Sequence, residues 1–202
     1  MRKLRLSFLV CGAAFFSACG PATESKEDAN DENEEVVMED NATEDTDAEK
    51  VMNTAVAVIS SASGSTLTGE ATFTDLGDGD VTFKLTIEGA VPGEHALHLH
   101  EKGDCSAPDA KSAGGHWNPA GVGHGKRPVD MQYHAGDISN IEVGEDGKGT
   151  LTATISGWSI GGPDSTNILN KAVVIHANAD DFKSQPSGAA GDRVGCGVIE
   201  KN

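Results

Sequence analysis

The stretch Val81-Thr82-Phe83-Lys84-Leu85-Thr86-Ile87-Glu88 places a large apolar side chain at every second position and a polar one between. A period of two is the mark of a β-strand with one face buried and the other in water. Leu151, Ala153 and Ile155 repeat the pattern between Thr150, Thr152 and Thr154, and the pairs Asp78-Gly79 and Asp146-Gly147 supply a tight-turn signal beside each run. Shorter strand-like pieces lie near 56–59, 67–73, 173–176 and 197–200. No stretch carries the 3.6-residue period of a long amphipathic helix. With 25 Gly and 4% aromatic residues, the chain reads as all-β, an antiparallel barrel or sandwich. Two long irregular segments, about 101–140 and 177–195, interrupt it. Structureless segments of that length inside a compact domain are usually functional.

Outward from these strands the chain of 202 residues divides into three parts. Residues 1–19 carry Arg2, Lys3 and Arg5, then an apolar run from Leu6 to Phe16 and small residues before Cys19, the layout of an export signal. Phe16-Ser17-Ala18-Cys19 resembles a bacterial lipobox with Phe where Leu is usual. Lipidation at Cys19 is therefore expected, with ordinary cleavage near Ala18 as the alternative. Residues 20–50 hold 13 acids against Lys26 and Lys50, too few apolar groups to offset ordering entropy, and read as a disordered acidic tether. Residues 51–202 hold 19 acids and 10 bases and are the folded domain. The expected location is the periplasm or the cell envelope, with membrane contact only through a lipid at Cys19. The formal charge of −17 and a pI near 4.6 argue against a phosphate-binding surface, so no nucleic-acid partner is expected. No apolar run approaches the roughly 20 residues of a membrane helix.

Of four cysteines, Cys11 leaves with the signal and Cys19 is the lipid candidate. Cys105 and Cys196 remain, an even number in an oxidising compartment, and are expected to form a disulfide. Two free buried thiols are the alternative, and a metal site using both is weaker because neither has a nearby cysteine. Six of the seven histidines fall within 40 residues. His98 and His100 are two apart, so on a strand both imidazoles share one face while Leu97 and Leu99 take the other. His116, His124, His134 and Asp137 lie in the long Gly-rich segment, where three imidazoles and a carboxylate are free to converge tetrahedrally. Zinc prefers that geometry, and copper also accepts nitrogen donors.

Taken in order, His95-Ala96-Leu97-His98-Leu99-His100-Glu101, Gly114-Gly115-His116-Trp117-Asn118-Pro119, His134-Ala135-Gly136-Asp137, Val174-Ile175-His176 and Arg193-Val194-Gly195-Cys196-Gly197-Val198-Ile199 resemble the motifs of copper/zinc superoxide dismutases. The likeness spans nearly all of residues 52–200. It implies a Greek-key antiparallel barrel of about eight strands with two long functional loops. It also implies copper on His98, His100, His116 and His176, and zinc on His116, His124, His134 and Asp137, with His116 bridging the two. His95 falls where the family has a structural histidine. Asp180 falls at the acid that accepts from a histidine on each metal, and Arg193 at the arginine that orients the anionic substrate. The implied activity is conversion of superoxide to dioxygen and hydrogen peroxide by copper redox cycling with a structural zinc, Arg193 and His116 being the catalytic pair. A homodimer is left open.

Some positions depart from the family. Glu94 and Ala96 stand where an apolar residue and a glycine are more usual. Asp192 adjoins Arg193, and only Lys183 adds a base in the later loop, so weak steering of an anion is expected. Three rival functions remain: a non-catalytic copper/zinc-binding protein of the same fold, a zinc hydrolase, and an adhesion sandwich. A hydrolase needs an open position on zinc, which four protein ligands do not leave. An adhesion module leaves the clustered histidines without a purpose.

Overall fold

Val81, Phe83, Leu85 and Ile87 all face the interior, each no more than 3% exposed, so the alternation read from the sequence is the alternation of the fold. A computed structural model describes residues 52–202. The expected export signal, the expected acidic tether and Cys19 lie outside the described residues. Among the described residues ten strands follow in chain order: β1 (Thr54–Ser61), β2 (Thr68–Asp75), β3 (Asp80–Glu88), β4 (Gly93–His95), β5 (Leu97–His100), β6 (Ile141–Val143), β7 (Gly149–Ser156), β8 (Ala172–His176), β9 (Arg193–Val198) and β10 (Glu200–Lys201). A single 3₁₀ turn, Lys111–Ala113, is the only helical element among the described residues.

The sheet is antiparallel and runs β4-β6-β7-β3-β2-β1-β9-β8-β5, with β10 also on β1. Its two end strands, β4 and β5, are one stretch of chain broken at Ala96, so the sheet nearly closes into a Greek-key barrel. At the break, Ala96 N donates to Asn178 O (2.8 Å) and Ala96 O accepts from His176 N (2.9 Å). β9 and β10 are likewise one strand interrupted at Ile199. Counted as continuous segments the strands number eight, as expected. The turn signals at Asp78-Gly79 and Asp146-Gly147 close the β2–β3 and β6–β7 hairpins, where Gly79 and Gly147 take positive φ (96° and 73°).

The two long segments lie where expected, between β5 and β6 and between β8 and β9. A third connection, 157–171, goes beyond that reading. It is held by a bridge between Ser159 and Asn167 and inserts Trp158 into the core. Trp158 stands edge-on to Phe83 (6.2 Å, 83°), and Phe73 lies 5.2 Å from Phe83. The indole N–H donates to Ala135 O at 2.8 Å, tying the first long loop to the core. Cys105 and Cys196 are joined (S–S 2.01 Å, Cα–Cα 5.8 Å), which decides between the disulfide and two free thiols. Cross-linking residues 91 apart is worth about 4–5 kcal/mol in the chain-entropy account.

Phe83→Ala is expected to destabilise the domain by about 3–5 kcal/mol, read as a lower urea midpoint at unchanged slope. An unmoved midpoint would mean that the core is not centred on this aromatic cluster.

Candidate metal centre

β5 does two things at once. Leu97 and Leu99 enter the apolar core while His98 and His100 turn to the opposite side, all four fully or almost fully buried. On one edge β5 pairs with β8, which ends in His176. Its other edge takes the long loop, through bridges of His98 with Asp137 and His100 with His116. Leu99 N donates to Gly136 O and Trp117 N to Leu99 O, both at 2.8 Å. A Cβ on Gly136 would sit 2.2 Å from Leu99 O, so only glycine lets the loop come this close. The result is a stack of imidazoles, with ring centroids 3.9 Å apart for His98 and His116, 5.0 Å for His98 and His176, and 5.1 Å for His100 and His116.

Four nitrogens in this stack are buried without a hydrogen-bond partner: His98 Nδ1, His100 Nε2, His116 Nε2 and His176 Nε2. The ligand atoms of these four residues lie within 4.8 Å of one another. The opposite nitrogens are engaged: His98 Nε2 with Asp180 Oδ2 (2.8 Å), His100 Nδ1 with Gly114 O (2.9 Å), His116 Nδ1 with Asp137 Oδ1 (3.0 Å) and, more loosely, His176 Nδ1 with Gly191 O (3.3 Å). Donation on that side leaves a lone pair on each orphaned nitrogen. Burial lowers His100 to about 2, His176 to about 3 and His116 to about 4, which keeps those lone pairs unprotonated at neutral pH. An unpartnered buried polar group costs about 1–3 kcal/mol, and four facing lone pairs repel. The donor set suits a cation that accepts imidazole nitrogen.

A second pocket opens on the far side of His116. Asp137 Oδ1 lies 3.0 Å from His116 Nδ1 and 3.3 Å from His134 Nδ1, and Asp137 Oδ2 lies 3.0 Å from His124 Nδ1. His116 Nδ1 and His134 Nδ1 are 3.3 Å apart. A tetrahedral ion with bonds of about 2.0–2.1 Å needs donors about 3.3 Å apart, and these are close to it. The residues whose ligand atoms are all mutually near on this side are His98, His116, His124 and Asp137. His98 enters that group by proximity alone, since Asp180 occupies its Nε2 and its Nδ1 is orphaned in the first pocket. His134, the donor expected from the sequence, lies outside that mutual group, although its Nδ1 stands 3.3 Å from both His116 Nδ1 and Asp137 Oδ1.

Asp180 joins the pockets. Its Oδ2 meets His98 Nε2 at 2.8 Å and its Oδ1 meets His124 Nε2 at 2.9 Å. Asn140 grips the Asp180 main chain with both ends of its amide (2.9 and 3.1 Å). A Cβ on Gly188 would collide with the Asp180 carboxylate. Burial would raise Asp137 and Asp180, but the histidine hydrogen bonds override it and hold both below the ordinary carboxylate range. Burial likewise opposes charge on His124, yet Asp137 and Asp180 lift it to about 9. His95 takes no part in either pocket: its Nδ1 lies 2.7 Å from His176 O and its Nε2 2.7 Å from Val91 O.

Arg193 is fixed close to the first pocket, donating through Nη1 to Ala110 O and through Nη2 to Gly114 O, both at 2.7 Å, the second carbonyl being the one that faces His100 Nδ1. The disulfide ties the segment bearing these carbonyls to β9, the strand that carries Arg193. A cavity of about 300 Å³ here is lined by Ser63, Asp109, Lys111, Gly191, Asp192 and Arg193. Lys111, paired with Asp109 at 2.8 Å, lines the same cavity as Arg193 and was not singled out from the sequence. It reaches Arg193 only because the disulfide loop folds back on β9.

The sequence model for copper/zinc superoxide dismutases matches residues 67–199. The chain belongs to this family. Among solved structures, the crystal structure of the clock protein EA4 is similar at 39% identity and a TM-score of 0.64, covering 72% of this chain and 92% of that one. The four-histidine pocket, the neighbouring Asp137 pocket and the disulfide all lie within the matched residues.

In the metal-free protein, His100, His116 and His176 have folded values of about 2 to 4 against about 6.5 when unfolded. Between those limits the unfolded chain binds protons that the fold refuses, so stability is present near neutrality and falls as pH drops below about 6.5. His124, raised to about 9, contributes stability fully present below about 6.5 and lost on the alkaline side, so it adds no slope in this window. Unfolding in chelator is expected to become easier by at least about 1.4 kcal/mol per pH unit from pH 6 to 5. A flat profile there would contradict the burial of these rings as neutral groups.

Proposed function

We propose that this domain is a superoxide dismutase, with copper on His98, His100, His116 and His176 and zinc on His116, His124, His134 and Asp137. The observation that carries the reading is the His116 ring. Its Nε2 is orphaned among the first pocket's nitrogens, while its Nδ1 stands 3.0 Å from Asp137 Oδ1 in the second. Copper bound there would supply two accessible oxidation states, so that one superoxide could give up an electron to become dioxygen and a second could take one up with two protons to become hydrogen peroxide, whereas zinc has one.

The chain's own residues handle the anion and the protons. Arg193, locked by two carbonyls, holds its charge at the mouth, where it orients superoxide without first being ordered itself. With the ring of His116 held at Nδ1, its Nε2 can gain or lose a proton without the ring swinging away. Asp180 holds the Nε2 faces of His98 and His124, so the orientation of both rings is set before a metal arrives. Four donors in the second pocket leave no open position for hydrolytic chemistry. The disulfide accords with an oxidising compartment and supports the proposed export to the periplasm or the envelope, with Cys19 as the proposed lipid site.

The test is superoxide consumption by the purified chain, with metal analysis, before and after loading with copper and zinc. Activity is expected only with copper. His176→Ala is expected to reduce it by at least about 100-fold, more than the loss of an outer partner costs. Retention of both metals without superoxide consumption would instead establish a non-catalytic metal-binding protein of this family.

At the mouth, Arg193 and Lys111 stand with Asp109 and Asp192, so the local charges cancel and little attraction extends into solvent. The rate is expected to change by less than about threefold between roughly 10 and 150 mM salt. A steep fall over that range would show a steering field that these residues do not provide.

A further inference from the structure

Arg127 lies between His124 and His134 and is used by none of the chemistry above. Its guanidinium donates Nε to Asp137 O (3.0 Å), Nη2 to Ala135 O (2.7 Å) and to His134 O (3.4 Å), and Nη1 to Ser156 O (3.1 Å). The first three carbonyls belong to the turn that carries His134 and Asp137. The fourth is the last residue of β7, part of the barrel wall. The cation also lies 4.5 Å from the Tyr133 ring and 6.0 Å from that of Trp158. Trp158 in turn donates to the same Ala135 O. Four of the five guanidinium N–H groups are therefore spent on fixing one turn to one strand, and the planar fork is what lets a single side chain reach them together.

His124, another loop-borne donor, is held in a comparable way. Gln185 accepts from His124 N (2.9 Å) and donates to His124 O (2.8 Å), clamping that residue's main chain from the second long loop. No regular secondary structure runs through residues 124–137. Backbone bonds to β5 fix Gly136, and these two side chains add to that restraint in holding the 3.0–3.3 Å donor spacing of the second pocket.

We propose that Arg127 is the positioning residue of the second pocket: by pinning the His134–Asp137 turn to β7 it holds the His134 and Asp137 donor atoms at zinc spacing before zinc binds. The inference rests on the reading of that pocket as a zinc site, and the experiment separates the two.

Zinc affinity of the full chain is measured by chelator competition for the wild type, Arg127→Lys and Arg127→Ala. Cobalt(II) is then added in place of zinc, and its visible spectrum reports the coordination geometry. Copper uptake and far-UV circular dichroism are followed alongside. Lysine keeps the charge and the aliphatic stem but has no fork, so it is not expected to rescue. Both variants are expected to weaken zinc by about 10–100-fold and to alter the cobalt spectrum, while copper uptake stays within about threefold and the β spectrum is retained.

Zinc affinity within about threefold of wild type with an unchanged cobalt spectrum, in either variant, overturns the proposal. Equal weakening of copper and zinc overturns it too, because that marks general destabilisation. If Arg127→Ala fails to fold, Arg127→Lys decides. Failure of both to fold also counts against the proposal, since Arg127 would then belong to the barrel and not to the pocket. A wild type that takes up no zinc refutes the zinc reading itself.

Discussion

Imidazole lone pairs that face one another in a buried space repel, and the fold spends much of its detail on keeping four of them together. His98, His100, His116 and His176 come from a strand, a neighbouring strand and a loop. Each has its second nitrogen facing a carbonyl or carboxylate oxygen, which decides where the free lone pair points. Remove those restraints and the rings would rotate to pair with water. The metal reading follows from this constraint, because a cation is the one occupant that turns the repulsion into attraction.

The barrel and the loops divide the task. β5 is rigid on both edges, with β8 on one side and the loop at Gly136 on the other. The loops have no ladder of their own; they touch β5 through isolated bridges and are further restrained by side chains. Asp180 spans both pockets, Asn140 holds Asp180, Gln185 holds His124, and Arg127 holds the turn at His134 to Asp137. The Cys105–Cys196 bond does the same for the mouth, keeping the carbonyls that orient Arg193 against β9. Short polar clamps suit a site whose donors must stand within a few tenths of an ångström of a set spacing.

The mouth shows what charge does at two ranges. The domain is acidic, so long-range attraction of an anion does not follow from net charge. In the proposed function Arg193 acts at contact, and Lys111 is offset by Asp109 beside it. On that proposal the device that remains is local orientation of the anion at contact.

The alternation at Val81 to Glu88 and at Thr150 to Ile155 determines an all-β fold by itself, because the period of two is a property of the strand backbone. The pairing of His98 with His100 on one face, and of Leu97 with Leu99 on the other, follows for the same reason. Motif order was enough to propose the family, the ligand sets, Asp180 and the cysteine pair, since spacing along the chain preserves residue identity. Tertiary structure alone decided the rest. That β4 and β5 are one strand broken at Ala96, that Trp158 reaches back to Ala135, and that Arg127 closes on three carbonyls and β7 are contacts between segments with no shared periodicity. Lys111 arrives beside Arg193 for a similar reason, the loop being folded back by a bond between residues 91 apart. A local pattern records what one segment does with its own neighbours, and only the folded chain shows which distant groups satisfy the polar atoms left over.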